Sequence, residues 1–140
     1  MTRSCWTAQP NETYWIDLAL GPAATQLMID TGLVDPQGQI GLELDGQMFD
    51  DLEFAKHLLR AGYTWRRDSS GHKQKLPIGF LGVRLLDPNT KLPVGPAVTS
   101  FAVRNFPGIP SRVGVAFFHA LTGCRIDWDL SARVWCVECP

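Results

Sequence analysis

The sequence lacks any long apolar run. No segment approaches the roughly 20 consecutive apolar residues of a transmembrane helix, and the first residues, Met1 to Trp6, lack the apolar stretch of a secretory signal peptide. Charge is also scarce, with 19% charged residues and a formal net charge of -1. So small a net charge gives no electrostatic reason to bind nucleic acid or an anionic membrane. These absences predict a cytoplasmic protein with no nucleic-acid or membrane partner.

Several catalytic motifs are missing as well. The sequence contains no G-x-S-x-G, no H-E-x-x-H and no phosphate-binding glycine loop, so hydrolases of those kinds have no support. The short basic run at Arg66 and Arg67 stands on a nearly neutral chain. It is better explained as a solvated face than as a nucleic-acid contact.

Cysteine is sparse, with four residues in the chain. Without a signal peptide, reduced thiols are the expected state. Cys136 and Cys139 form a C-x-x-C that could hold zinc together with Cys5 or Cys124, but one such pair is weak evidence for a metal site. We therefore predict plain thiols with no metal and no cofactor, and keep a zinc-binding domain as the weaker alternative.

The length of 140 residues, 45% of them hydrophobic, fits one domain with a single core. Residues 1–12 are polar and contain a proline, which predicts a flexible leader before a domain over 13–140. Apolar runs and turn residues predict mainly strands with two short helices. The predicted strands are 14–20, 25–29, 40–44, 63–67, 76–86, 96–103, 124–128 and 132–137, and the predicted helices cover 49–62 and 113–123.

Residues 27–32 are the most informative stretch. Three apolar residues run directly into Asp30, Thr31 and Gly32, which indicates a buried strand that ends on a carboxylate. A carboxylate is costly to bury unless it is paired or functional, and the glycine permits a tight turn and a close approach of another backbone. A catalytic aspartate is presented in this way. The alternative is an ordinary turn aspartate that bonds its neighbours' backbone.

Two motifs carry a family resemblance. The first is residues 28–32, and the second is the hydrophobic-glycine segment 113–118 followed by 124–128. Between them, the turn 68–71 stands where a flap tip is expected. In this order the motifs resemble the retropepsin-like single-domain aspartic proteases, closest to their bacterial members, over residues 13–137. The resemblance implies an all-β, closed acid-protease barrel with one lobe per chain.

The resemblance also implies a reaction. Asp30, Thr31 and Gly32 would form the catalytic loop, and because each chain has a single such loop, the active enzyme would be a homodimer. Two facing Asp30 carboxylates would activate a water that attacks a peptide bond of a polypeptide substrate. Leu33 would line a substrate pocket, and the tip formed by Ser69, Ser70 and Gly71 would close over the extended peptide.

A second hypothesis keeps the fold without the activity. Leu33 stands where many relatives have Ala or Ser, Arg112 replaces an apolar residue, and the loop 33–46 is rich in glycine. These features favour a catalytically weak or inactive module that binds a peptide or dimerises. Assays on broad peptide libraries separate the two hypotheses, because such a module binds without turnover.

Overall fold

The computed structural model describes residues 2–11, 13–33 and 38–140. Residues 34–37 of the predicted loop, and Met1 and Glu12 of the predicted leader, lie outside this range. The described strands and helices follow in chain order: β1 Thr2–Thr7, β2 Trp15–Leu20, β3 Ala23–Ile29, β4 Ile40–Leu44, α1 Gly46–Phe54, β5 Leu58–Arg67, β6 Lys73–Leu86, β7 Pro93–Arg104, β8 Arg112–Val113, α2 Val115–His119, β9 Arg125–Asp129 and β10 Val134–Cys139.

The larger sheet closes into a barrel. Its strand order is β2-β3-β8-β4-β7-β6-β5, and an additional β2–β6 pairing joins six of these strands into a ring. Ile16, Leu18 and Leu20 of β2 are buried in this ring, as the two-residue alternation of a strand requires. The long strands β6 and β7 pair in antiparallel fashion along most of their length. The predicted all-β class with two short helices is therefore confirmed.

Strand β8 has two residues, but it lies between β3 and β4 and pairs with both. It runs parallel to β3, with Ile29 opposite Val113, and antiparallel to β4, with Leu42 also opposite Val113. Val113 is fully buried between these two neighbours. The chain end of β3, which carries Asp30, is therefore fixed by a strand from the far end of the sequence.

Both helices are shorter than predicted. Helix α1 begins after Asp45, whose carboxylate accepts a hydrogen bond from the Met48 amide at 3.1 Å, the usual role of an N-cap aspartate. It ends before Lys56, which has a left-handed φ of 64°, so Leu58 begins the next strand and buries its side chain in the core. Gly62, which the sequence suggests as a helix stop, lies instead at a β-bulge of β5 with a φ of 124°.

The first described residues form an ordered strand, whereas the sequence predicted a flexible leader over 1–12. Thr2–Thr7 forms β1, which pairs with β10 at six consecutive positions. Trp6 stacks on Trp135 with ring centroids 4.3 Å apart, and its indole NH donates to the Asp17 carboxylate at 2.8 Å. Burial of two tryptophan rings supplies the apolar contact that orders this segment.

The prediction of plain thiols is wrong. Cys5 and Cys136 are paired residues of β1 and β10 and form one disulfide, and Cys124 and Cys139 form a second. The C-x-x-C is thus divided between two bridges, which leaves no free cysteine in the described part of the chain. The described residues also contain no cluster of three or more metal-ligating side chains.

A carboxylate links β1 to the barrel. Asp87 accepts a hydrogen bond from the Ser4 hydroxyl at 2.6 Å and others from the backbone amides of Asn89 and Thr90, both at 2.9 Å. These donors, the Ser4 hydroxyl above all, lower the pKa of Asp87 from 3.8 to about 2.

No helix within the described ranges is long and apolar enough to cross a membrane.

Candidate active site

Asp30 sits at the end of a rigid strand. Its backbone amide donates to the carbonyl of Val113 at 2.9 Å, and the amide of Ile29 donates to the carbonyl of Tyr14 at 2.8 Å. The backbone that leads into Asp30 is therefore held by hydrogen bonds to β8 and to the segment before β2. Such anchoring limits the positions that the Asp30 side chain can take.

The turn after Asp30 binds one of its carboxylate oxygens. Asp30 Oδ1 accepts the Gly32 amide at 2.9 Å, and the Asp30 carbonyl accepts the Leu33 amide at 3.1 Å. Thr31 and Gly32 are exposed, and the Asp30 side chain keeps 32% of its surface exposed. The same backbone bond occurs in ordinary aspartate turns.

The loop rests on a glycine that cannot be replaced without movement. A Cβ placed on Gly114 would lie 2.6 Å from the Leu33 carbonyl oxygen and 2.9 Å from its Cγ. Gly114 itself donates to the Gly41 carbonyl at 2.9 Å. Leu33 is buried against this glycine, with 7% of its surface exposed. Its predicted part in a substrate pocket stays a prediction.

Arg112 joins Asp30 to a buried acid. One guanidinium nitrogen, Nη1, lies 2.8 Å from Asp30 Oδ2, and Nη2 contacts Oε1 of Glu43. Glu43 Oε2 accepts Arg66 Nη1 at 3.1 Å, and Glu43 Oε1 also accepts the Asn105 side-chain amide at 3.3 Å. We call Glu43, Arg66, Asn105 and Arg112 the arginine cluster.

In the sequence, Arg112 stands out only as a departure from an apolar residue, and Glu43 was not predicted to be a site residue. A signal for Glu43 was present: it is the one charged residue of β4, whose five residues are all buried. Buried acids are rarely left without a partner. A cationic partner for Glu43 was therefore to be expected, although its identity depends on the fold.

The turn 68–71, the predicted flap tip, is organised around Asp68. The carboxylate of Asp68 accepts hydrogen bonds from the amides of Ser70 and His72 at 3.0 and 2.9 Å, and from the Ser70 hydroxyl at 2.6 Å. These bonds, led by that of the Ser70 hydroxyl, lower the pKa of Asp68. The Gly71 amide donates to the Asp68 carbonyl at 3.0 Å. Ser70 and Gly71 thus serve the turn itself.

Two cavities are lined by residues of this region. One, of about 210 Å³, extends from the flap tip at Ser69 to Arg112 and includes Glu43 and Arg66. The other, of about 600 Å³, includes Asp30 and Thr31 with the apolar side chains of Tyr14 and Trp128. Of the predicted site residues, the structure therefore places Asp30 and Thr31 on one cavity and Ser69 on the other.

The site in one chain is chemically incomplete for peptide hydrolysis by paired acids. Within the described residues, the side chain that contacts the Asp30 carboxylate is a guanidinium rather than a second carboxyl group. An acid pair that holds one proton needs two carboxyl groups in contact. A second Asp30 can come only from another copy of the chain.

A barrel closed by β2–β6 pairing, with an Asp-Thr-Gly turn fixed on a hydrophobic-glycine pair and a β-hairpin flap, is the architecture of a retropepsin-like lobe. The structure is similar to the crystal structure of a retropepsin-like aspartic protease from Rickettsia conorii, with a TM-score of 0.65. That likeness covers 99% of this chain and 91% of the other chain at 13% sequence identity, so it shows the fold. No protein-family model and no curated protein matches the sequence.

Proposed function

We propose that this protein is an aspartic endopeptidase that acts as a homodimer, with Asp30 of each protomer forming the catalytic pair. The main observation behind the proposal is the position of Asp30 in a retropepsin-like fold and the contacts that hold it there. The Asp30 backbone is bonded to Val113, its Oδ1 accepts the Gly32 amide, and the loop rests on Gly114. Oδ2 is the oxygen that a water and a second carboxyl group would contact once Arg112 releases it.

The proposed reaction follows from proton sharing. Two carboxyl groups in close contact hold one proton between them, because both cannot be ionised at that distance. The ionised Asp30 takes a proton from a water, and the protonated Asp30 of the other protomer polarises the scissile carbonyl. Thr31 and Gly32 shape the loop so that the two copies can approach each other.

Arg112 has to release Asp30 Oδ2 for this chemistry. After this release the Arg112 guanidinium is still paired, because its Nη2 keeps its contact with Glu43. Dimer formation would supply the replacement partner for Oδ2, namely the protonated carboxyl group of the second Asp30. In this proposal the single chain is held in a resting arrangement and assembly completes the site.

An extended polypeptide is the proposed substrate. The hairpin of β5 and β6 would lie over it, with the tip at Ser69, Ser70 and Gly71 excluding water and donating backbone hydrogen bonds. Leu33, at the base of the catalytic loop, would contribute to the wall of a substrate pocket.

The first test is Asp30→Asn, with Asp127→Asn as a matched control on a partly exposed acid that is ion-paired with Arg3 and Arg125. Mass spectrometry of a broad peptide library would follow cleavage, and sedimentation would follow dimer formation. We expect Asp30→Asn to abolish cleavage while the dimer persists, and Asp127→Asn to retain cleavage. Cleavage that survives Asp30→Asn, or a strictly monomeric active protein, would overturn the proposal. Peptide binding without turnover by the wild type would identify the inactive module instead.

A cytoplasmic location stays a prediction from the sequence. The two disulfides bear on it, because such bonds are more typical of oxidising compartments. Acid quenching of intact cells, followed by alkylation in denaturant so that the buried Cys136 and Cys139 can react, tests the point. Full labelling of all four cysteines would support the cytoplasm, and protection of all four would refute it.

A further inference from the structure

We propose that the cavity between the flap tip and Arg112 is a specificity pocket for an acidic side chain of the substrate, selected by Arg66 and Arg112. The inference rests on the proposed peptidase function and names its substrate class: polypeptides with Asp or Glu near the scissile bond. The pocket adjoins Asp30, because Arg112 lines the pocket and contacts the Asp30 carboxylate, and Ser69 of the flap tip also lines it. In the proposed complex, a peptide bound between the flap and Asp30 places one side chain in this pocket.

The charges of the pocket are arranged in layers. Glu43 lies at the back, with 5% of its side chain exposed, and both its oxygens already accept hydrogen bonds from the arginine cluster. The side chains of Arg66 and Arg112 lie in front of it, with 24% and 25% exposed. An incoming group therefore meets guanidinium surface that a buried carboxylate holds in position, which is how a site is made ready for an anion.

The pocket has more donors than acceptors. Arg66 Nη2 and Arg112 Nε are buried and have no hydrogen-bond partner within the described parts of the chain. Asp68, the other acid on the lining, is already occupied by the turn that it organises. A buried donor without a partner is costly. A substrate carboxylate would supply the missing acceptors after a small shift of the guanidinium groups.

The size and the walls also fit an acidic side chain. A volume of about 210 Å³ is far above the roughly 10–15 Å³ that a cavity needs to hold one water, and it accommodates the side chain of Asp or Glu. Leu76, Phe106 and Ile109 form apolar walls that can contact the methylene groups. Arginine provides planar, paired donors that match a carboxylate better than an amide. We expect a preference for Glu over Gln of roughly tenfold to a hundredfold, the range of one charge-assisted bond.

The test uses peptides that are identical except for Glu, Gln or Leu at each position flanking the scissile bond. Relative kcat/KM values measure the preference in cleavage. The affinities of statine-containing analogues of the same peptides measure the preference in binding, where no turnover occurs. At one position we expect the Glu peptide to be favoured, and this preference to disappear in Arg66→Gln. Arg60→Gln is the matched control, since Arg60 lies on the same strand but pairs with the partly exposed Glu53. It should keep the preference.

A second variant guards against misfolding. Arg66→Lys keeps the charge but loses the forked donor, so an intermediate preference is expected. The preference in binding should also vanish below about pH 4, where a peptide Glu is protonated. Binding that favours Glu and depends on Arg66, without cleavage, would support the pocket and refute the peptidase. Cleavage with no acidic preference, or with one that Arg66→Gln leaves intact, would refute the pocket and leave the peptidase standing. If the wild type neither cleaves the peptides nor prefers Glu in binding, both the pocket and the peptidase are refuted.

Discussion

The arginine cluster makes one strong prediction about stability. In Glu43→Gln the side chain keeps its shape but loses its charge and one acceptor oxygen. Glu43 is 4% exposed and bonds Arg66, Arg112 and Asn105. Arg112 retains Asp30 as a partner after the substitution, whereas Arg66 loses the acid that holds it.

The expected cost follows from these contacts. Removing one partner of a buried ion pair costs about 3–5 kcal/mol, and the quarter-exposed arginines, which water can partly solvate, place Glu43→Gln nearer to about 2–4 kcal/mol. In a chain of this size one kcal/mol corresponds to about 2–4 °C in Tm. The melting temperature should therefore fall by roughly 5–15 °C, measured by calorimetry or circular dichroism near pH 7.

Glu53→Gln is the matched control, because Glu53 also pairs with an arginine of β5. Its carboxylate makes two bonds of 2.8 Å to Arg60, but the two side chains are 31% and 40% exposed. Exposed pairs contribute about 0–1 kcal/mol. If Glu43→Gln costs no more than Glu53→Gln, the arginine cluster is not a buried electrostatic unit, and the argument for its ordered guanidinium surface fails.

Two further predictions concern pH and packing. Because the pKa of Asp87 is about 2 when folded and 3.8 ordinarily, its contribution to stability is present above about pH 4 and is lost as the pH falls toward 2. The Tm gap between wild type and Asp87→Asn should close over that window, and a gap of constant size would contradict this. Gly114→Ala should lower the free energy of unfolding by about 1–3 kcal/mol and abolish cleavage, since its Cβ meets the Leu33 carbonyl. Gly82→Ala, with open space around it, should change unfolding by under about 0.5 kcal/mol, and equal effects of the two would refute the packing argument.

Local patterns predicted much of the barrel. The strands that lead to Asp30, the flap turn at 68–71 and the last hairpin were visible because alternation and turn residues report on the nearest neighbours. Both helices were predicted too long. For α1 the reason is that burial of Leu58 in the barrel outweighs the local helix preference of the residues after Phe54. The order of β1 was missed, since it depends on pairing with β10 more than 120 residues away.

The sequence by itself determined that a carboxylate follows a strand and that a tight turn with Gly32 comes next. It did so because these features depend on residues adjacent in the chain. The strand is less buried than expected, with Leu27 buried and Met28 and Ile29 half-buried. Only the tertiary structure decided that Arg112 contacts Asp30, that Glu43 holds two arginines, and that four cysteines form two bridges. Each of these pairings joins residues distant in sequence, and their partners are chosen by strand register and barrel closure, which no local pattern encodes.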